Sequence, residues 1–347
     1  MRVSTSQFHS QGLSSIQKHQ ADVLDSQLKL STGKRVNVAS DDPVATNQIH
    51  SLNRTMSTID QYAKNGSFAK SQLVQEETAI ADSISQLQRA RELAVQMSND
   101  TYSASDRQAA AAEIEQIIQQ TQNMMNYRSS EGELIFAGSS VQAERAFVED
   151  VNNPGFYAYI GSTNAIGQFE SDGVTPVYDE LAGYGSRFVQ IGFDADNRIP
   201  ADDQGDSSRV RISDNGKDVF GIVTTTTFTN PTGTGTPDNN ILNTLVELKK
   251  SLQAGTAPTP GVSDDLLSGV QQLSEVRAEI GGRQNRIEAQ YDAGESFKIA
   301  LEERRMGLED MDIVQGVTDL TQSQNALDMA QQVFTRVQSM SLFDYLR

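Results

Sequence analysis

The chain contains no cysteine and no tryptophan. Without cysteine, neither disulfides nor thiolate chemistry can hold or operate this molecule. That absence fits a cytosolic protein, and equally a chain that must remain unlinked and threadable. Basic residues are scarce: 28 Lys and Arg stand against 46 Asp and Glu, a formal net charge of −18. Nucleic acid is excluded as a partner by this balance, because phosphate recognition needs a basic stripe. The same charge favours solubility at high concentration. No run of about 18 apolar residues occurs, so no membrane-spanning helix is expected. The first residues, Met1 to Thr5, lack the apolar stretch of a secretory signal, and no cleaved signal peptide is expected. Aromatic residues make up 6% of the 347, which suits long amphipathic helices better than a large globular core.

What is present is periodicity. Ile49, Leu52, Met56, Ile59, Ala63, Gly66, Lys70, Leu73, Glu77, Ile80, Ile84, Leu87, Arg91 and Ala94 recur in steps of three and four. This is a heptad seam over roughly six repeats, with no proline inside. At ~1.5 Å per residue it predicts a helix about 70 Å long, which must find a partner helix of similar length.

A first helix is predicted over 1–32, with Leu13, Ile16, Val23, Leu24 and Leu28 at helical spacing and Gly33 placed to end it. Asp42 before Pro43 marks the start of the second helix, the carboxylate capping open N–H groups and the proline losing nothing at the first position. A third helix is expected over Arg107–Ser130, with Ser105 and Gln108 as a capping box and an antiparallel return along the second.

From Leu134 to about Ile222 the period changes. Phe156–Ile160, Phe188–Phe193 and Val210–Ile212 are short β-type runs between Gly, Asp, Asn and Pro clusters, so a mostly β insertion is expected. Thr224–Pro237 reads as a surface loop, Ile241–Leu252 as a short helix, and Ala254–Gly261 as a linker. Ser263 is read as the cap of a last long helical region, with Leu266, Val270, Leu273, Ile280, Ile287, Tyr291, Leu301 and Leu308 as its seam. Gly281 and Gly282 inside it read as close packing or a bend. A final helix carries Leu320, Leu327, Ala330, Phe334 and Val337 on one face.

The fold class that follows is mainly α with a β-rich insertion. Paired N- and C-terminal long helices form an antiparallel bundle or coiled-coil rod, and a β lobe sits at the middle of the chain. Three parts are expected: arms 1–42 with 307–347, a long-helix domain 43–140 with 262–306, and a β-rich middle 141–261. The outermost arms are thin in apolar side chains, so they are expected to order only against neighbouring copies.

The search for chemistry is negative. His9, His19 and His50 lack metal-pair spacing. Asp194–Asn197 opens like a calcium loop, but Ile199 takes the glycine position and Gly205 the closing glutamate position, so it reads as a solvated acidic turn. Gly33-Lys34 is not a phosphate loop, and no nucleophile elbow occurs. No catalytic residue, cofactor or metal is expected.

Leu30-Ser-Thr-Gly-Lys-Arg-Val-Asn37, followed by Ser40-Asp-Asp-Pro43, resembles the N-terminal signature of bacterial flagellins and their hook-associated relatives. Glu92-Leu-Ala-Val-Gln96 with Asn99-Asp-Thr101 resembles the family's next block, and Leu308–Leu346 its closing helix. The resemblance covers roughly the first 140 and last 80 residues. Flagellins typically end close to Leu-Leu-Arg, whereas this chain ends Leu342-Phe-Asp-Tyr-Leu-Arg347. That tail, Leu134–Ser139 and Pro43-Val44-Ala45 are closer to the hook-associated branch.

The resemblance implies a structural subunit of the flagellum, in the junction layer between hook and filament. Filament flagellin is the alternative, and a surface adhesin on a helical stalk is the reading from a different class. The adhesin is disfavoured because the middle shows no aromatic cluster or basic patch. Implied partners are the other hook-associated junction protein, flagellin, further copies of this chain in a ring layer, and a flagellar export chaperone covering the C-terminal helix. The arms would line an axial channel, and the chain would leave the cell by the flagellar type III route. The assembly interface is expected at Leu13, Ile16, Leu24, Leu327, Phe334, Val337, Leu342, Phe343 and Leu346, apolar residues on helices with too little else to cover them.

Overall fold

The computed structural model describes residues 2–140, 143–165, 167, 185–193, 208–228 and 235–345, with the side chains of 2–6, 8, 337 and 339–345 left aside. Seven α-helices, α1 (Arg2–Thr32), α2 (Pro43–Met97), α3 (Ala104–Met125), α4 (Gly216–Phe220), α5 (Ile241–Gln253), α6 (Val262–Glu309) and α7 (Ile313–Tyr345), carry most of the described chain. Among the described residues, four three-residue strands lie between α3 and α4. β1 (Phe147–Glu149) pairs antiparallel with β2 (Tyr157–Tyr159), Val148 opposite Ala158, and β3 (Phe188–Gln190) pairs antiparallel with β4 (Arg209–Arg211), Val189 opposite Val210. The chain divides into two compact units, 1–60 with 295–347, and 61–294. The calcium-like turn at 194–205 lies outside the described residues.

In the second unit, α2 and α6 meet along the seam read from the sequence. Leu73, Ile80, Leu87 and Ala94 of α2 are buried, as are Leu266, Leu273, Ile280 and Ile287 of α6. Lys70 and Glu77, read as seam positions, are not buried; Ala69 and Glu76 take their places. Leu52, Ile59, Gly66, Leu73, Ile80, Leu87 and Ala94 form one unbroken heptad row. The row beside it moves from i+4 (Met56) to i+3 (Ala69, Glu76, Ser83, Ala90), because a helix of 3.6 residues per turn drifts against a 3.5-residue pattern. Tyr291, also read as seam, is half exposed.

Helix α3 folds back and packs with α5. Its capping box is Ser103 with Asp106, not Ser105 with Gln108. Ser103 accepts from the Asp106 N–H, and Asp106 accepts from the Ser103 N–H at 3.0 Å. Helix α6 begins at Val262, so Ser263 lies inside it; the Gly261 carbonyl receives the Asp264 and Asp265 N–H groups at 3.0 and 2.9 Å. Gly281 and Gly282 have no atom within 4 Å of where a Cβ would stand, so close packing is not their reason.

The strand-bearing middle does contain an aromatic cluster, against the sequence expectation, and it is buried. Phe147 meets both Tyr159 (5.3 Å between centroids) and Phe220 (5.7 Å), and Phe220 meets Phe136 (4.8 Å), all edge to face. These rings form a core rather than a ligand surface. Helix α5 underlies β2: Asn243 accepts from the Tyr157 N–H at 2.8 Å and donates to the Tyr157 carbonyl at 2.8 Å. The Thr225–Thr226 stretch of the expected surface loop is fastened by Asp265, which accepts from both backbone N–H groups and both hydroxyls.

Candidate functional site

The first unit holds the chain's two ends together, and its geometry starts from the signature residues. Gly33 has φ +70°, the left-handed conformation that ends α1 at no steric cost. The chain then runs antiparallel to the corner between α6 and α7. The Met311 N–H donates to the Gly33 carbonyl (2.9 Å), the Arg35 N–H donates to the Glu309 carbonyl (2.7 Å), and Lys34 pairs with Asp310 in a β-bridge. The Arg35 guanidinium donates to the Leu308 carbonyl (2.9 Å), satisfying an acceptor at the end of α6 that has no helical partner, and to Asp42 (3.2 Å). The Lys34 ammonium meets Glu309 at 2.5 Å.

The two aspartates of the signature have separate duties. Asp41 accepts the N–H groups of Asn37 (3.0 Å) and Val38 (3.1 Å), which hold its carboxyl below the usual carboxylate range. Asp42 caps α2 through the N–H groups of Val44 (3.2 Å) and Ala45 (3.0 Å); the Ala45 bond and then Arg35 lower its carboxyl likewise. Val36, Ala45 and Ile49 are buried beneath this clasp, with Leu308 packed against them. The Gly-Lys-Arg…Asp-Asp-Pro string is thus a tie between two helix corners.

From the clasp, α1 and α7 run antiparallel as a pair. Leu30 approaches Gly316, Ser26 Oγ lies 3.5 Å from Ser323 Oγ, and Phe334 packs over Gly12 and meets the His9 ring edge-on at 5.0 Å. The residues facing inward on α1 are Gly12, Ile16, His19, Val23, Ser26 and Leu30, at three- and four-residue steps. Opposite them on α7 lie Gly316, Leu320, Ser323, Leu327, Ala330 and Phe334. Five of these twelve, Gly12, Ser26, Gly316, Ser323 and Ala330, are small. They let the helices approach, but they remove little apolar area from water.

Other apolar side chains of the pair, among those described, point outward. Leu13, Leu24 and Leu28 are exposed on α1, as are Val314, Val317, Met329 and Val333 on α7. Eleven residues separate Leu13 from Leu24 and four separate Leu24 from Leu28, so at 100° per residue they share one arc of the helix. An open groove of about 620 Å³ runs between the helices, lined by Gly12, Ser15, His19, Met329, Val333 and Phe334.

Of the interface residues expected from the sequence, Ile16, Leu327 and Phe334 lie half-buried in the line between α1 and α7, while Leu13 and Leu24 face away from it. The side chains of Val337, Leu342 and Phe343, and the whole of Leu346, lie outside the described residues. Met329 and Val333 were not anticipated; their i, i+4 spacing was the available signal. Among the described residues no group of three or more His, Cys, Asp or Glu is arranged to hold a metal, and no helix is long and apolar enough to cross a membrane.

The bacterial flagellin N-terminal helical region matches residues 3–141, and the flagellin C-terminal helical region matches residues 266–346. Together these are α1 to α3, the clasp, and α6 with α7. The chain belongs to the bacterial flagellin family. It is similar along its whole length to flagellar hook-associated protein 3 of Salmonella typhimurium, 27% identical with all of both chains covered. The protein of that name from Escherichia coli is 25% identical, with 99% of both chains covered. Similarity to Listeria monocytogenes flagellin is 31% but spans 30% of this chain and 37% of that one. Among solved structures, a flagellar hook-associated protein of Vibrio parahaemolyticus superposes with a TM-score of 0.56 at 18% identity, covering 77% of this chain and 99% of that one. The flagellar junction protein FlgL of Legionella pneumophila gives 0.53 at 15%, over 76% and 99%. At these identities the structures establish the fold.

Proposed function

We propose that this protein is a structural subunit of the bacterial flagellum, forming the junction layer between hook and filament. One observation carries the choice within the family. Likeness to hook-associated protein 3 runs the full length of the chain, whereas likeness to flagellin stops at about a third of it. A filament subunit shares the terminal helices; a junction subunit shares the middle as well.

The paired terminal helices are the assembly surface. They lie side by side within one chain, yet leave Leu13, Leu24, Leu28, Met329 and Val333 open to water. A second copy with the same helices has the matching apolar faces. In this reading the arms, 1–42 with 307–347, line the channel of a ring layer, 43–140 with 262–306 form the long-helix domain, and 141–261 form the outer, β-rich domain. Ile16, Leu327 and Phe334 hold the arms together, Leu13 and Leu24 bind neighbouring copies, and Val337, Leu342, Phe343 and Leu346, outside the described residues, are assigned to the same assembly. The neighbours above and below are the other hook-associated junction protein and flagellin. The chain reaches the cell exterior through the flagellar type III route, escorted by an export chaperone on its C-terminal helix. Its role is mechanical, and no catalysis is assigned to it.

Immunogold labelling of detached flagella tests the assignment. A single band of label at the end of the hook is expected. Label along the whole filament would transfer the chain to the flagellins. Removing Ser339–Arg347 should abolish incorporation; a normally built, motile flagellum from that variant would remove assembly from the account.

A further inference from the structure

Inside the second unit, α2 places an acid where no hydrogen-bond donor reaches it. Glu76 is fully buried, and neither carboxylate oxygen has a donor within hydrogen-bonding geometry. Of the charged groups acting on it, the carboxylate of Asp214, also buried, from the segment between β4 and α4, acts most strongly. Asp214 is held from its other sides by Arg283 of α6 at 2.7 Å and Arg211 of β4 at 2.7 Å. Glu279 of α6 stands beyond both arginines, 3.3 Å from Arg211 and 3.6 Å from Arg283. The next residue on α2, Glu77, turns away to Arg277 and Gln284.

Two ionised carboxylates are acceptors only and cannot bond each other. Close together in a buried site they repel, and neither arginine donates to Glu76. A single proton resolves the arrangement: Glu76 keeps it and donates to Asp214, as in other close carboxyl pairs. Burial first, and the Asp214 charge second, push the Glu76 carboxyl well above its ordinary value.

We propose that Glu76 and Asp214 share one proton in the folded protein, and that this proton is a latch fastening the β4–α4 segment to helices α2 and α6. What it fastens is defined by the neighbouring bonds. The Gly138 N–H donates to the Asp214 carbonyl (3.3 Å), the Gly216 N–H to the Phe136 carbonyl (2.9 Å), and the Ser213 hydroxyl to the Gly138 carbonyl (3.0 Å). The Arg187 N–H donates to Ser213 (2.9 Å). The segment therefore joins 136–138 and the β3–β4 pair to the long helices at one point. Hydroxide takes the Glu76 proton to give water and leaves two adjacent buried anions. The open cleft of about 440 Å³ beside Asp214, Arg211 and Arg283 gives the segment room to move outward.

The sign is fixed by linkage. The folded state holds a proton that the unfolded chain has already released, so stability falls as pH rises from the unfolded glutamate range through the titration of Glu76 in the fold. One such proton lowers the folding constant by up to about tenfold per pH unit in that window. The test is urea unfolding of the full-length wild type and Glu76→Gln between about pH 5 and about pH 9. Gln keeps the donor and cannot ionise, so the wild-type constant should fall relative to the variant as pH rises. Parallel curves would overturn the proposal. If Glu76→Gln fails to fold, carboxyl-carbon NMR of the wild type still decides: a side-chain carboxyl that stays protonated at neutral pH supports the latch, and complete ionisation of every carboxyl there refutes it.

Discussion

Replacing Leu24 and Val333 together by Asp separates what holds one chain together from what joins it to the next. Both side chains are about 60% exposed in the paired helices. Covering a whole Leu or Val side chain is worth about 1.5–3 kcal/mol, so each has roughly 1–2 kcal/mol still to gain at an interface. The double variant forfeits that gain and places two carboxylates in the contact, where desolvation without a partner costs a further ~1–3 kcal/mol each. The sum, about 4–10 kcal/mol per subunit, raises the concentration needed for assembly by at least about a thousandfold, at ~1.4 kcal/mol per tenfold. The isolated chain should barely notice, because exposed positions usually change stability by no more than about 0.5 kcal/mol.

The assay has two arms. Urea unfolding followed by circular dichroism reads the isolated chain, and recovery of the variant in purified flagella reads assembly. Ile16→Ala is the contrast, since Ile16 lies in the line between α1 and α7 and should lower the helicity of the isolated chain as well. The reasoning is refuted if the Leu24→Asp, Val333→Asp chain enters flagella as the wild type does. It is equally refuted if that chain loses as much helix in isolation as Ile16→Ala.

Three further outcomes are expected. Gly216→Ala should destabilise the second unit by about 1–3 kcal/mol in thermal unfolding despite alanine's better helix propensity, because the added Cβ would stand 2.7 Å from Tyr159, 2.8 Å from the Phe136 carbonyl and 2.9 Å from Phe147. Asp265→Asn should cost about 2–4 kcal/mol at neutral pH, since the amide cannot accept all four bonds from Thr225 and Thr226. Burial raises the Asp265 carboxyl, but those bonds together hold it below its ordinary value, so its contribution is present above the unfolded aspartate range and lost as acid protonates it. The wild-type and Asp265→Asn stabilities should therefore converge as pH falls below the unfolded aspartate range, which urea titration reads. Amide exchange of the isolated chain should show residues 7–30 opening far more readily than 73–94, and equal protection in the two stretches would contradict the weak α1–α7 pairing.

Much of the fold was legible because long helices repeat one signal many times. The row from Leu52 to Ala94 is unbroken, so a small misreading could not hide it. Caps were less legible where two candidates overlapped: Ser103 and Ser105 are both serines before acceptor residues, and the choice fell to the N–H geometry of Asp106. At the head of α6, the left-handed Gly261 (φ +93°) supplies the turn, which left Ser263 no capping duty. The aromatic core of the middle was hidden because Phe136, Phe147, Tyr159 and Phe220 are far apart in sequence and the strands that carry Phe147 and Tyr159 are three residues long. Glu76 was hidden by register. Read in heptads, the charged seam position is Glu77; only the drift of a straight helix carries its neighbour inside.

The division between exposed and buried leucines follows from which side chains face which way. In the second unit the seam is made of Leu73, Ile80, Leu87, Leu273 and Ile280, all dry, and that part of the chain is complete as one molecule. Along α1 and α7 the facing positions include Gly12, Ser26, Gly316, Ser323 and Ala330, whose side chains have little apolar area to remove from water. Ordering a residue costs about 1–2 kcal/mol, so such a line must be supplemented to hold some thirty residues of helix on each side. The supplement is on the outer faces, in Leu13, Leu24, Leu28, Met329 and Val333, where only another chain can reach it. Were Leu13, Leu24 and Leu28 also turned inward beside Leu30, Leu320 and Leu327, the arms would be more stable alone and the outer surface would have less to offer a neighbour. Five small residues among the twelve facing positions, with these large ones outside, are what the proposed assembly would draw on: on that reading, assembly and completion of the arms are one process.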